Sequence, residues 1–147
     1  MRLEDTPIRP SIIERDLIYI KRLILFIYME QLPNDINIII KDYVIFKPST
    51  KQELQEAVDL WCKNREEAIS KYSYISNWDT SLITDMSKLF SKKKDFNDNI
   101  NNWDVSSVTD MAFMFFFASS FNQPINSWDV SSVTNMKTIF NGTSSFN

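Results

Sequence analysis

Aspartates recur at one fixed interval along the second half of this 147-residue chain: Asp79, Asp104 and Asp129 lie 25 residues apart, each directly after a tryptophan. A column of carboxylates in a repeat can bind calcium, but the repeats that do so wrap the ion in glycine-rich turns. Here the only glycine is Gly142. Aspartates just ahead of a helical segment readily accept backbone N–H bonds, so a capping role is expected for them and no metal site. Other reactive groups are as sparse. Histidine is absent and Cys62 is the only cysteine. That removes imidazole acid–base chemistry, Ser/His and Cys/His nucleophile pairs, the usual zinc sites and any intramolecular disulfide. A single glycine also cannot build a phosphate-cradling loop. The expectation is a protein with no enzymatic activity and no cofactor. Cys62, beside Trp61, reads as a small packed residue.

Charge narrows the partners. Sixteen basic residues face 19 acidic ones, for a net charge of −3 and no basic stripe, which argues against nucleic acid. The run Lys92, Lys93 and Lys94 reads as a solvated loop. The apolar fraction of 44% is enough for a real core at this length. The apolar run at 23–29 has seven residues, against the roughly 20 that a membrane-spanning helix needs. No secretory signal is recognisable. An intracellular protein without a membrane span is expected, in the cytoplasm or associated with a virus particle.

The elements that carry the aspartates are repeats. Residues 77–86, 102–111 and 127–136 read NWDTSLITDM, NWDVSSVTDM and SWDVSSVTNM. Each continues to Phe90, Phe115 or Phe140, then to a Phe-Asn pair, and Ile75, Ile100 and Ile125 hold one further equivalent position. The core of the stack should be Trp78, Trp103 and Trp128, with Met86, Met111 and Met136 and with Phe90, Phe115 and Phe140. Within a unit, Val108, Met111, Met114 and Phe115 fall at helical intervals. Phe121 and Ile125 alternate with polar residues and predict a short strand. A helical turn or two plus one strand per unit is the size class of leucine-rich repeats.

The pattern W-D-x-S-x-V-T-x-M, then M-F, then S-S-F-N-Q-P-I, resembles the BspA-type repeat of bacterial surface proteins, which also occurs in protists and large DNA viruses. The resemblance implies a binding role. It also implies an α+β fold: a short leucine-rich-repeat-like solenoid of three 25-residue units with a helical N-terminal cap. The expected division is a helical region and cap over 1–74 and three repeats over 75–147. No signal sequence, lipid-anchor cysteine or wall-sorting tail like those of the bacterial surface members is recognisable in these residues, so a role other than surface adhesion is expected. The chain's wealth of Ile, Asn and Lys suits an AT-rich genome, and so a minor structural component of an assembly such as a large virus particle.

Ahead of the repeats, Thr50 with Glu53 three residues on forms a capping-box signature. A helix ending near Ser70 should follow, with Leu54, Ala57, Val58 and Trp61 on one face. Two more helices are expected over 12–29 and 32–43. The second of these, with Leu32, Pro33, Ile36, Ile39 and Ile40, resembles the opening of an F-box. That likeness implies an alternative role, an adaptor that recruits targets to a ubiquitin ligase.

Comparing copies singles out one patch. Phe113, Phe116 and Phe117 replace Lys88, Ser91 and Lys92 of the first unit and Thr138, Asn141 and Gly142 of the third. Positions that accept lysine should face solvent, so three phenylalanines there mark either a partner-binding surface or a face covered by the N-terminal helices. The last unit should also present an open C-terminal end. A protein partner or self-association through the repeat face or that end is therefore expected.

Overall fold

A computed structural model describes residues 45–147, which belong to one compact unit, Val44–Asn147. The helices expected over 12–29 and 32–43, and with them the F-box-like residues Leu32, Pro33, Ile36, Ile39 and Ile40, lie outside the described residues.

Helix α1 spans Lys51–Lys63. Its start follows the sequence signature: the Thr50 hydroxyl accepts from the Glu53 N–H at 3.1 Å. The Glu53 carboxylate reaches back to the N–H of Ser49 at 2.8 Å, one residue before the cap. Leu54, Ala57, Val58 and Trp61 form the buried stripe. Burying aliphatic side chains of this size stabilises a fold by roughly 1.5–3 kcal/mol each. The helix stops earlier than the sequence suggests. Asn64 turns extended at φ −147°, and its side chain accepts from the Glu67 N–H, which starts α2 over Arg65–Tyr72. A short polar side chain that offers the backbone an alternative acceptor breaks a helix in this way. A 3-10 turn over Ile75–Asn77 leads into the first unit. Among the described residues no helix is long and apolar enough to cross a membrane.

The α+β leucine-rich-repeat-like solenoid is not what forms. Among the described residues there is no strand and no sheet, only two isolated parallel bridges, Asp85 to Asp110 and Asp110 to Asn135. The units do stack, by a different rule. Met86, Lys88, Phe90 and Lys92 donate their N–H groups to the carbonyls of Asp110, Ala112, Met114 and Phe116, at 2.7–2.9 Å. Met111, Phe113, Phe115 and Phe117 repeat this toward Asn135, Lys137, Ile139 and Asn141. The intervening N–H groups turn inward instead, as in Leu89 to Met86 O and Ser91 to Lys88 O. Half of the donors thus close local three-residue turns and never reach a ladder, so no strand develops. Those consecutive turns also explain the false helical reading. Val108 donates to Val105 O and Met114 to Met111 O, so buried residues recur every three positions without any helix.

Aromatic columns fill the stack. Phe90, Phe115 and Phe140 lie nearly parallel with centroids 5.4 and 5.5 Å apart. Phe96, Phe121 and Phe146 form a second column at 5.8 and 5.7 Å. The Trp103 indole N–H donates to Ile75 O of the preceding unit at 2.8 Å, and Trp128 donates likewise to Ile100 O at 3.1 Å. A buried indole N–H needs such a partner. Helix α1 lies against the first unit: Gln55 donates to Leu89 O, and Trp61 meets Trp78 edge-on at 6.0 Å. Lys51 donates to both oxygens of Asp85 at 2.9 Å and to the Ser87 hydroxyl.

Candidate interaction surface

Backbone conformation sets the surface. Each unit turns twice through the left-handed region, at Lys88 and Lys92 (both φ 62°), at Phe113 (59°) and Phe117 (55°), and at Thr138 (53°) and Gly142 (77°). These positions stack into two columns. For a bulky side chain a positive φ is a genuine outlier, and it costs about 1–2 kcal/mol per residue. Phe113 and Phe116 are half-buried, while Phe117 is 46% exposed. The three rings form one cluster, with Phe113 edge-on to Phe116 at 5.6 Å and Phe116 edge-on to Phe117 at 4.5 Å. Beneath Phe117 lies Gly142. A Cβ built there would meet the phenyl Cδ1 at 2.7 Å, so the absent side chain makes room for the ring.

The core residues are buried to different degrees. Trp78, Trp103, Trp128, Met86, Met111, Phe90 and Phe115 are all buried. Phe140 is half-buried, and Met136 stands 41% exposed. The third unit therefore has an outer face that nothing among the described residues covers.

The aspartate column caps turns, since no helix follows it. Asp79, Asp104 and Asp129 each accept the N–H two residues on, from Ser81, Ser106 and Ser131, all at 3.0 Å. Asp79 also pairs with Lys47 at 2.7 Å, and the Lys47 ammonium with the Ser81 bonds holds its carboxyl down to about 2. The Ser106 and Ser131 bonds lower Asp104 and Asp129 in turn. At Asp85 burial works against ionisation, yet Lys51 and Ser87 outweigh it and hold the carboxyl low. Among the described residues no group of three or more His, Cys, Asp or Glu is placed to hold a metal ion.

Cys62 is at the surface and not packed, though partial burial still pushes its thiol up to about 11. It lies in a cleft of about 540 Å3 with Trp61, Lys63, Arg65, Lys92 and Lys94. Lys93 is engaged with Asp59 at 2.6 Å, so the lysine run is only partly a free loop. Four further residues contribute that composition and motif do not single out. Asp98 accepts from both the Trp61 indole at 2.9 Å and Arg65 at 2.7 Å. The Thr143 hydroxyl donates to Phe115 O at 2.7 Å. Asn97 and Asn122 form a ladder, accepting from the N–H groups of Asn122 and Asn147. The Phe-Asn pair in every copy is the signal that could have found this ladder.

Residues 59–147 match the model of a family described as Mycoplasma protein of unknown function, DUF285. No curated protein and no solved structure matches the chain. The matched stretch begins inside α1 and takes in the Asn64 break, α2 and every stacked unit. With well over half of its length inside that family's pattern, the chain belongs to the DUF285 family.

Proposed function

We propose that this protein is a non-catalytic module for protein–protein contact, and that it docks its partner on Phe113, Phe116 and Phe117. One observation carries the reading. The middle unit places phenylalanines at both left-handed positions, where the first unit has exposed lysines at the same φ. Stability alone does not favour bulky aromatics there, since they bring backbone strain and leave apolar surface in water. Edge-to-face packing holds the three rings as one rigid anchor, the kind of group that dominates interface energetics.

The test is crosslinking mass spectrometry on the protein in its native source, alongside the double variant Phe113→Lys, Phe117→Lys. Lys88 and Lys92 occupy the same conformation in the first unit, so this variant should fold. Crosslinks from the middle unit to another protein that vanish in the folded variant support the reading. Crosslinks that persist unchanged would sink it.

A further inference from the structure

We infer that the partner segment docking on the phenylalanine cluster is acidic along one half, and that its carboxylates lie on the lysines of the first unit. The inference rests on the docking reading above and names the partner's chemistry: a protein segment with an apolar half over Phe117 and an Asp- and Glu-rich half directed toward α1. Charge around the rings has one sign. Residues 87–94, 112–119 and 137–144 hold equivalent places in the three units and carry five lysines and no carboxylate, in a chain of net charge −3. Lys88 and Lys92 stand directly before Phe113 and Phe117 in the two left-handed columns, and their N–H groups donate to Ala112 O and Phe116 O. On the other side the columns continue to the uncharged Thr138 and Gly142, with Lys137 next in sequence.

Local stability does not ask for these lysines. A left-handed φ suits glycine, which the third unit has at the site of Lys92. Four of the seven residues 88–94 are lysines, and their like charges repel. Packing does not need them either, since Lys88, Lys92 and Lys94 are exposed. Their ammonium groups are also unengaged. Ion pairs among the described residues take up Lys47, Lys51, Arg65 and Lys93, whereas the side chains of Lys63, Lys88, Lys92 and Lys94 have no hydrogen bond or ion pair there. Lys92 joins two regions, because it lines the cleft beside Cys62 together with Lys63 and Lys94. Asp59 in that cleft is held by Lys93. Among the described residues Asp95 is then the one unpaired carboxylate lining it, against three unpaired ammonium groups. A strip of uncompensated positive charge therefore runs from the cleft, through Lys92, to the phenylalanines.

A nucleic acid is the poorer fit to the same strip. Bases bind aromatic residues by stacking on open ring faces, and a basic groove must track the strand. Here the rings are locked edge to face on one another, and the lysines gather in one unit. Apolar side chains of a protein segment pack on ring edges as readily as on faces, and carboxylates meet single ammonium groups without a long track.

The test titrates the full chain into three labelled probes, read by fluorescence anisotropy at low salt. One is a short peptide with glutamates in one half and leucine and tryptophan in the other. The second has glutamine for every glutamate, and the third is an oligothymidylate of equal charge. Each exposed ammonium–carboxylate pair strengthens binding by roughly two- to fivefold. The glutamate peptide should bind with Kd below about 100 µM, and the glutamine peptide at least about tenfold more weakly. The triple variant Lys88→Gln, Lys92→Gln, Lys94→Gln removes no bond within the described residues and should bring the glutamate peptide to the glutamine level. Equal binding of the two peptides, or binding undiminished in the triple variant, overturns the inference and leaves the phenylalanine docking in place. Failure of the glutamate peptide to bind overturns it too, as does an oligothymidylate that binds as tightly, which would make nucleic acid the occupant. Undiminished binding of the glutamate peptide to Phe117→Ser instead removes the docking reading, and the inference falls with it.

Discussion

Truncating the equivalent phenylalanine in each unit tests the stacking directly, because the chemistry is constant and only the surroundings change. Phe115 is fully buried, stacked on Phe121 at 4.1 Å and held between Phe90 and Phe140 in its column. Phe→Ala in a core costs about 3–5 kcal/mol, and aromatic pairs contribute about 0.5–1.5 kcal/mol beyond buried area. Phe115→Ala should therefore cost about 5 kcal/mol, a large part of the 5–15 kcal/mol total typical of a domain. Phe90 is equally buried but has one column neighbour, with Trp103 at 5.7 Å and α1 beyond, so about 4 kcal/mol is expected. Phe140 is half-buried with a single column neighbour, and about 2 kcal/mol follows. Urea unfolding followed by tryptophan fluorescence reads all three as changes in midpoint at a roughly constant slope. The outcome that would refute the reasoning is Phe140→Ala costing as much as Phe115→Ala. The outer face of the third unit would then be covered in the free chain, contrary to the exposure of Met136 and Phe140.

Thr80 is fully buried and donates to Asp104 O at 2.8 Å, while the equivalent second-unit residue is the buried Val105. Thr80→Val should change stability by no more than about 1 kcal/mol, and a loss above about 3 kcal/mol by thermal unfolding would contradict this. The lowered carboxyl of Asp79 gives a signed pH dependence. A group whose folded pKa is depressed adds stability above its unfolded value near 4, and that stability is lost as pH falls through about 2. The stability gap between the native protein and Asp79→Asn should be largest above pH ~4, under about 1 kcal/mol for so exposed a pair, and should close toward pH ~2. Acid titration followed by circular dichroism tests it, and a gap that widens on acidification would have the wrong sign. Gly142→Ala should cost about 1–2 kcal/mol, part from φ +77° and part from the 2.7 Å approach to Phe117. In a Phe117→Ser background the steric part should vanish, leaving a coupling of about 0.5–1 kcal/mol in a double-mutant cycle, and strict additivity would place Phe117 elsewhere.

What the sequence reveals depends on whether a residue type reports its own conformation. The stripe Leu54, Ala57, Val58 and Trp61 is legible because a capped helix has one period. The break at Asn64 was written there too, as an asparagine followed three residues later by Glu67, but inside a helical pattern it reads as one more polar position. The repeat and its register are legible from Trp, Asp, Met and Phe. The path of the chain within a unit is not. Glycine usually announces left-handed turns, and here Lys, Phe and Thr occupy five of the six left-handed positions in the units. Buried residues spaced by three along consecutive turns also imitate a helical face, and alternation near Phe121 imitates a strand. The phenylalanine cluster could be found only by comparing copies, since no single unit shows that its equivalents are exposed lysines.

Both junctions between units use the same residues in the same register, with donor and acceptor offset by 24 residues each time. Chain length is therefore quantised. Duplicating one 25-residue block in the gene would reproduce a complete junction and leave every existing bond in place. An insertion of any other length inside the stack would put each later phenylalanine, tryptophan and N–H out of step with its neighbour. A chain lengthened by whole units would keep its packing while the α1 end stays the same, whereas any length between those steps would break it.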